Sequence, residues 1–316
     1  MLAAGLLTVA RGLPTPPAFL AAGTDLLRVH TDGTQEVVSL TVAERPARLL
    51  RLGSATVLLT RPPSTITGGS AYLLGDASAT LTRLGPADTV VPDSRGDRVW
   101  LVRGSATKSL VAFDGRGRRV EQRTARTSHD LLMVTPHGVL DDEVGVPGGS
   151  TPTLRNDAGR VLRQLAGPVQ VMDVVGPRIL VTVGTCLDGC RVEMWDTRDG
   201  SSRSTQLDSG FVVLDGALSA NGRSAALAAR SSRAPNAPSG RDGQAVLLRG
   251  GLDGTALTTT RVDGACTLLA CHVTWTGETV YASVDRFPGT LLEWRPGRAP
   301  RALRGRAPQV ADLSGL

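Results

Sequence analysis

Aromatic residues and lysine are scarce in this sequence. Phe, Trp and Tyr together make up 3% of the 316 residues, and Lys108 is the only lysine. Domains that bind nucleic acid concentrate basic residues on one face and place aromatic residues among them. Here the net charge of +6 comes from arginines spread along the chain, and the densest basic cluster is the short run Arg116–Arg119. The composition therefore predicts that nucleic acid is not a partner.

No hydrophobic run is long enough to cross a bilayer. The apolar stretch Leu2–Ala10 is interrupted by Arg11, whereas a membrane-spanning helix needs about 20 apolar residues. Its length suits the core of a signal peptide instead. Two interpretations stay open for residues 1–17: the remnant of a signal sequence or anchor that starts upstream, and a disordered tail. In both, residues 18–316 form one domain.

The sequence also lacks the common catalytic motifs. There is no Gly-x-Ser-x-Gly nucleophile elbow and no Walker-type phosphate loop. The chain has only four histidines, and two of them, His129 and His137, lie near the acidic residues Asp141 and Asp142. These four residues are weak catalytic candidates, because no other segment combines acids with bases.

The same carboxylates bear on metal binding. Ca²⁺ takes several oxygen ligands, often from an Asp-x-Asp-x-Asp-Gly loop, and no such loop accompanies Asp141 and Asp142. A solvated acidic turn is the favoured interpretation, with Ca²⁺ as the alternative. We predict no cofactor and assign no metal ligands.

Glycine and proline, by contrast, are plentiful and evenly spread, with 37 and 19 residues. Several of them belong to a tight turn that recurs about every 44 residues from one end of the chain to the other. Such turns close hairpins because glycine accepts the positive φ that they need. The series consists of Asp32-Gly33, Asp76-Ala77, Asp114-Gly115, Asp157-Ala158-Gly159, Asp199-Gly200, Asp253-Gly254 and Pro296-Gly297.

Each repeat has room for about four short strands. A four-stranded unit of this length is typical of a β-propeller blade, and such blades must stack around an axis to bury their faces. The sequence therefore predicts an all-β fold: a single propeller of seven four-stranded antiparallel blades, with six as the alternative count. In the fifth repeat the predicted strands are Val169–Val174, Ile179–Val183, Val192–Trp195 and Arg203–Leu207.

The fifth repeat also carries a family resemblance. Met194-Trp195-Asp196, followed by Asp199-Gly200, resembles the end of a WD40-like or TolB-like blade. The Trp-Asp pair occurs once, and the Gly-His and structural Asp pattern of true WD40 repeats is missing. The resemblance is therefore to the propeller superfamily, and in composition to secreted or membrane-anchored actinobacterial propellers. It implies the fold and no particular activity.

The two ends of the chain are predicted to meet. The N-terminal segments Ala18–Ala21, Leu26–His30 and Glu36–Thr41 resemble the later strands of a blade, and one apolar run, Gln309–Leu313, is left over at the C-terminus. A closed ring places that run beside the first strands in one composite blade, which removes two exposed sheet edges.

The four cysteines form two local pairs, Cys186 with Cys190 and Cys266 with Cys271. An even number of cysteines in close pairs at turns is typical of oxidised, exported proteins. We predict both pairs as disulfides, with free thiols, a metal site or haem attachment as the alternatives. The pairing favours an extracytoplasmic location, secreted or anchored upstream of residue 18.

Two further features belong to the predicted blades. The insertion Ser231–Gly243 is rich in Ser, Pro, Gly and Arg, so it is expected to form a surface loop. The four tryptophans, Trp100, Trp195, Trp275 and Trp294, fall on predicted strands. We expect them to pack between blades.

The favoured function is a non-catalytic binding or scaffold module of the cell envelope. Its expected partner is a protein or envelope ligand on one face of the ring or in the central channel, and the protein is expected to be monomeric. One alternative is a propeller enzyme (a hydrolase, lyase or quinone-type dehydrogenase) with an axial active site. Another is a cytosolic interaction platform, which free thiols would favour.

Overall fold

The computed structural model describes most of the chain between residues 18 and 303. The described residues are 18–22, 25–30, 34–38, 44–52, 55–62, 65, 68–75, 80–142, 151–164, 169–184, 186, 189–219, 221–231, 244–265, 271–284 and 290–303. The N-terminal segment 1–17, the insertion 232–243, Cys266 and the C-terminal run Gln309–Leu313 lie outside them.

The described residues form twenty-seven β-strands and no helix. No helix in this part of the chain therefore has the length and apolar character that crossing a bilayer requires. Consecutive strands pair antiparallel to give seven separate sheets, numbered here in chain order.

Sheets 1 to 4 cover the first half of the chain. Sheet 1 has the strands β1 (Ala18–Ala22), β2 (Asp25–Val29) and β3 (Gln35–Val38); sheet 2 has β4 (Arg45–Leu52), β5 (Ala55–Arg61), β6 (Ser70–Gly75) and β7 (Leu81–Pro86); sheet 3 has β8 (Thr89–Pro92), β9 (Arg98–Arg103), β10 (Thr107–Asp114) and β11 (Arg119–Arg126); and sheet 4 has β12 (Asp130–Thr135), β13 (Gly138–Asp142), β14 (Thr153–Arg155) and β15 (Val161–Gln164).

Sheets 5 to 7 follow. Sheet 5 has the strands β16 (Val169–Val175), β17 (Arg178–Val183), β18 (Cys190–Asp196) and β19 (Ser202–Leu207); sheet 6 has β20 (Phe211–Leu218), β21 (Ser224–Ser231), β22 (Gln244–Gly251) and β23 (Thr258–Ala265); and sheet 7 has β24 (His272–Thr276), β25 (Thr279–Val284), β26 (Thr290–Trp294) and β27 (Arg301–Ala302).

The composition of each strand follows its place in the sheet. The second strand is covered on both faces by neighbouring sheets, so β5 and β21 read as nearly continuous apolar runs with buried side chains. The outer strand faces solvent, and all four residues of β15 are exposed. Two-residue turns join the first strand to the second in several sheets, and Gly176 and Gly277 occupy them with φ of 57° and 58°, a region that favours glycine.

The hydrophobic core is divided among the interfaces between sheets. Each cluster joins two neighbouring sheets, and the described residues contain seven of them. Representative pairs, from the interface of sheets 1 and 2 to that of sheets 7 and 1, are Leu26 and Leu58, Val57 and Val90, Trp100 and Val134, Met133 and Ile179, Leu180 and Leu227, Ala228 and Val280, and Val29 and Tyr281.

The last of these interfaces closes the ring. Tyr281 of sheet 7 packs with Val29 of sheet 1, and its hydroxyl donates a hydrogen bond to the carbonyl oxygen of His30 over 3.4 Å. The first strands also contact one another around the ring: β24 with β1, β1 with β4, β4 with β8, β8 with β12, and β16 with β20 and β20 with β24. Seven sheets in a ring with their first strands innermost are a β-propeller, as the repeat predicted.

Tryptophans reinforce these interfaces, again as predicted. Trp100, Trp195 and Trp294 are buried in three different inter-sheet clusters, and Trp275 packs against one of them. The guanidinium of Arg249 in sheet 6 lies 4.8 Å from the ring centroid of Trp275 in sheet 7. The same group donates hydrogen bonds to the carbonyl oxygens of Trp294 and Glu278, so it joins sheet 6 to sheet 7.

Sheet 1 differs from the other sheets in having three described strands instead of four. β1 contacts the first strands β4 and β24 on either side, so the N-terminal strands fill the inner positions of this sheet. The prediction that they resemble the later strands of a blade is therefore wrong. Among the described residues, no strand pairs with the outer edge of β3, where Val37 is 56% exposed.

We predict that deleting Gln309–Leu316 destabilises the protein. If the C-terminal apolar run pairs along β3, its loss leaves the outer edge of this sheet without a partner strand, and the midpoint of thermal unfolding should fall by at least about 5 °C. Deleting Ser314–Leu316 alone is the matched control and should leave the midpoint unchanged. Equal midpoints for the longer deletion and the parent protein would contradict this pairing.

Candidate functional site

The predicted histidines lie at opposite ends of one strand. His129 is half-buried just before β12, and His137 is exposed in the turn between β12 and β13. A strand of this length separates them by roughly 20 Å. The structure therefore does not bring these two bases together.

The predicted carboxylates, Asp141 and Asp142, are both buried on strand β13, so the interpretation as a solvated acidic turn is wrong. Asp141 is fully buried. Its Oδ2 accepts a hydrogen bond from Nε of Arg155 over 2.9 Å and a second one from the hydroxyl of Thr127. Asp142 on β13 pairs directly with Asp130 on β12, at the open end of the same hairpin. Asp141 thus connects β13, β14 and the segment that leads into β12.

Nothing in this part of the chain resembles a metal centre. Among the described residues, no group of three or more His, Cys, Asp or Glu side chains is close enough to hold a metal ion.

Two other aspartates, not singled out by the sequence, occupy the inner strands of sheets 5 and 6. β16 and β20 each contain a β-bulge immediately before an aspartate, at Asp173 and Asp215. A bulge redirects the side chain that follows it. Here each carboxylate accepts a hydrogen bond from the inner strand of the next sheet.

The Asp173 carboxylate joins sheet 5 to sheet 6. Its Oδ2 accepts a hydrogen bond from the backbone N–H of Leu218 in β20 over 2.7 Å, and its Oδ1 accepts one from the N–H of Val174. Burial raises the pKa of Asp173 to about 6; the two N–H donors oppose this shift, the charge of Asp215 adds to it, and Arg48 of β4 opposes it.

The Asp215 carboxylate repeats the arrangement between sheets 6 and 7. Its Oδ2 accepts a hydrogen bond from the backbone N–H of Val273 in β24 over 2.8 Å. Nδ1 of His272 lies 3.6 Å from the same oxygen, and both ring nitrogens of His272 are buried. We call two of these hydrogen bonds the carboxylate latches. In one, the N–H of Leu218 donates to Asp173; in the other, the N–H of Val273 donates to Asp215.

The sequence does contain a signal for the latches. Both aspartates follow a valine and a large apolar residue, in Val171-Met172-Asp173 and Val213-Leu214-Asp215, at equivalent places in consecutive repeats. A superposition of the repeats would have found them, whereas a search for clusters of acids and bases along the chain does not.

The two ends of the ring differ in their connections. At one end, the loop end, lie the segments that join each second strand to the third and each sheet to the next. These include residues 143–152, 184–189, 232–243 and 266–271. At the other, the turn end, the first and second strands are joined by short turns such as 136–137, 176–177 and 277–278.

The three described cysteines belong to the loop end. Cys186 and Cys190 are bonded, with their Cα atoms 4.5 Å apart, which confirms that prediction. Cys271 is disulfide-bonded as well, and its predicted partner, Cys266, lies outside the described residues. The carbonyl oxygen of Cys186 accepts a hydrogen bond from the N–H of Phe211 over 3.3 Å, so the first disulfide loop is held to the start of β20.

A cleft of about 250 Å³ opens beside this disulfide, at the loop end of sheet 6. Its walls come from the connection between β19 and β20, the start of β20, the end of β21 and the outer strand β23. The insertion 232–243 leaves β21 at the same place.

Solved structures with this fold serve different chemistries. A prolyl endopeptidase superposes with a TM-score of 0.55 at 10% identity, over 90% of this chain and 48% of that chain. The β-propeller domain of the Trilobed protease from Pyrococcus furiosus gives 0.53 at 10% identity, over 92% and 94% of the two chains. A putative 6-phosphogluconolactonase from Bacteroides fragilis gives 0.54 at 13% identity, over 92% and 94%.

These similarities show the β-propeller fold alone. The chain spans about half the length of the prolyl endopeptidase that it matches. No protein-family model matches the sequence, and no curated protein matches it either.

We predict that Asp173 makes the protein less stable as the pH rises. Because the pKa of Asp173 is raised in the folded state, the folded protein holds this proton more tightly than the unfolded chain does. The resulting stabilisation is fully present below about pH 4 and is lost as the pH rises through about 6. Asp173→Asn cannot ionise, so its free energy of unfolding should change less between pH 5 and pH 8, by up to about 1.4 kcal/mol.

Denaturant unfolding at several pH values measures this difference. Asp97→Asn, which changes an exposed aspartate between β8 and β9, is the matched control and should keep the parent pH profile. Asp173→Asn also removes one acceptor from a latch, which lowers stability by a constant amount at every pH. Parallel profiles for Asp173→Asn and the parent protein would mean that Asp173 does not titrate in this range.

Proposed function

We propose that this propeller is a non-catalytic binding module that acts outside the cytoplasm and meets its partner at the loop end of the ring. The observation that carries the proposal is the asymmetry between the two ends. The three longest connections between strands, 62–69, 143–152 and 232–243, and the disulfide-bonded Cys186, Cys190 and Cys271 belong to the loop end, whereas no connection between described strands at the turn end exceeds six residues.

The asymmetry supports binding for a physical reason. Packed sheets form a rigid frame that leaves little freedom to their side chains, so loops on such a frame carry binding more often than the frame itself does. A disulfide in a short loop limits the conformations of that loop, and less entropy is then lost when a partner binds. The loop of Cys186 and Cys190 is restricted by its disulfide, and it is attached to the rigid frame by the hydrogen bond from the N–H of Phe211.

The cysteines also support the location. Cys186, Cys190 and Cys271 are all disulfide-bonded, and structural disulfides persist in oxidising compartments. Free thiols, which the cytosolic alternative would favour, do not occur among these three described cysteines.

An enzyme with an axial active site is the alternative, since similar propellers occur in peptidases and in a putative lactonase. Its candidate acids and bases are Asp173, Asp215 and His272, which the described inner strands of sheets 5 to 7 bring together. Oxygens of both carboxylates already accept backbone N–H groups, and the ring nitrogens of His272 are buried. This arrangement favours the binding module.

Site-specific photo-crosslinking tests which end of the ring meets the partner. A photoreactive phenylalanine analogue at the exposed loop-end positions Ser105 and Arg230 should form cross-links to the same macromolecule in intact cells. The analogue at the exposed turn-end positions Arg116 and Arg298 should not. Equal cross-linking from both ends, or none from the loop end, would contradict the proposal.

Intact mass tests the location. Protein taken from its native cells with thiols blocked should have a mass about 4 Da below that of the reduced chain, because two disulfides remove four hydrogens. It should also take up no alkylating reagent until it is reduced. Uptake of the reagent by all four cysteines would place the protein in a reducing compartment and favour the cytosolic platform.

A further inference from the structure

The cleft at the loop end of sheet 6 is small and mostly polar. The residues that line it include Asp208, Phe211, Ser231, Thr259 and Arg261. The volume of about 250 Å³ lies just below the range of about 300–1,000 Å³ that is usual for sites of drug-sized ligands. The cleft therefore suits a molecule with few non-hydrogen atoms.

Two opposite charges line this cleft without pairing. Asp208 and Arg261 are both exposed. Within the part of the chain that the structure describes, neither side chain makes a hydrogen bond or an ion pair, with the other or with any third residue. Elsewhere in the protein, arginines that share a site with a carboxylate do bind it, as Arg155 does with Asp141. Asp208 and Arg261 are thus available to a ligand that carries both signs of charge.

The apolar part of the cleft is held in place from behind. Phe211 is half-buried and packs against the core cluster between sheets 5 and 6. Its N–H donates to the carbonyl oxygen of Cys186, so the disulfide loop fixes the backbone that carries the ring. An aromatic wall that is ordered before binding adds contact area at little cost in conformational entropy.

We propose that this cleft binds a free α-amino acid with an apolar side chain. The planar guanidinium of Arg261 binds the carboxylate, which it can do through two parallel hydrogen bonds. The carboxylate of Asp208 binds the ammonium group, and the apolar side chain packs against Phe211. The inference rests on the proposed function, because it names a ligand class for the loop end of the same binding module.

Three related probes test the charge requirements. L-Phenylalanine carries both charges, N-acetyl-L-phenylalanine lacks the ammonium group, and L-phenylalaninamide lacks the carboxylate. In calorimetric titration of the purified full chain, L-phenylalanine should bind and each blocked probe should bind at least about tenfold more weakly. Failure of L-phenylalanine and L-leucine to bind at 10 mM (about the limit of such titrations) would overturn the inference.

Variants test the two side chains separately. Arg261→Gln and Asp208→Asn should each weaken L-phenylalanine binding by about tenfold. Arg298→Gln, which changes an exposed arginine at the turn end, is the matched control and should bind like the parent protein. Both cleft variants change exposed side chains, so their thermal unfolding should match that of the parent protein. Unchanged binding in either variant would overturn the assignment of that charge.

The relative affinities of the three probes distinguish a free amino acid from the carboxyl terminus of a peptide. If the N-acetyl compound binds as well as the free amino acid while the amide does not, the cleft recognises the carboxyl terminus of a peptide and the amino-acid proposal is wrong. The cross-linking experiment reports on the loop end independently. If loop-end cross-links form but no amino acid binds, this inference is wrong and the proposed function stands. If an amino acid binds but no loop-end cross-links form, the proposed function is wrong.

Discussion

Every sheet of this protein depends on its two neighbours to bury its faces. A four-stranded sheet has two apolar faces and no core of its own, so the burial that stabilises it comes from the sheets on either side. The seven inter-sheet clusters reflect this dependence, since each draws its residues from two neighbouring sheets. Because apolar packing is not directional, it does not by itself fix the height at which one sheet sits against the next.

The carboxylate latches fix the relative height of sheets 5, 6 and 7, because hydrogen bonds are directional. Asp173 and Asp215 each accept a backbone N–H of the next inner strand, and a hydrogen bond to a fixed backbone group tolerates little sliding. The cost is electrostatic, because a carboxylate surrounded by protein resists ionisation, and this is why the pKa of Asp173 rises to about 6. The interior groups most open to a catalytic interpretation are thus engaged in holding the ring together.

The fold was predictable from sequence because its signals are local. Hairpin turns with glycine and apolar strands between them are features of neighbouring residues, and their repetition indicates the ring. The placement of Cys186 and Cys190 was predictable for the same reason. The latches were not found, because each joins residues about 45 to 58 positions apart and depends on a bulge. For His129 and His137 the error is the opposite one. They are close in sequence and were predicted as one site, but β12 lies between them and holds them at its opposite ends.

The contact between Tyr281 and His30 has a consequence for the order of folding. These residues are 251 positions apart, so the first sheet cannot pack on both sides until almost the whole chain has been synthesised. Contacts of such separation slow folding and prolong the exposure of unpaired strand edges. The earlier sheets can stack one after another as they are made, but the interface of sheets 7 and 1 has to wait for the last of them. If the chain crosses a membrane unfolded, that final step belongs to the compartment it enters, where the cysteines of the loop end are also oxidised.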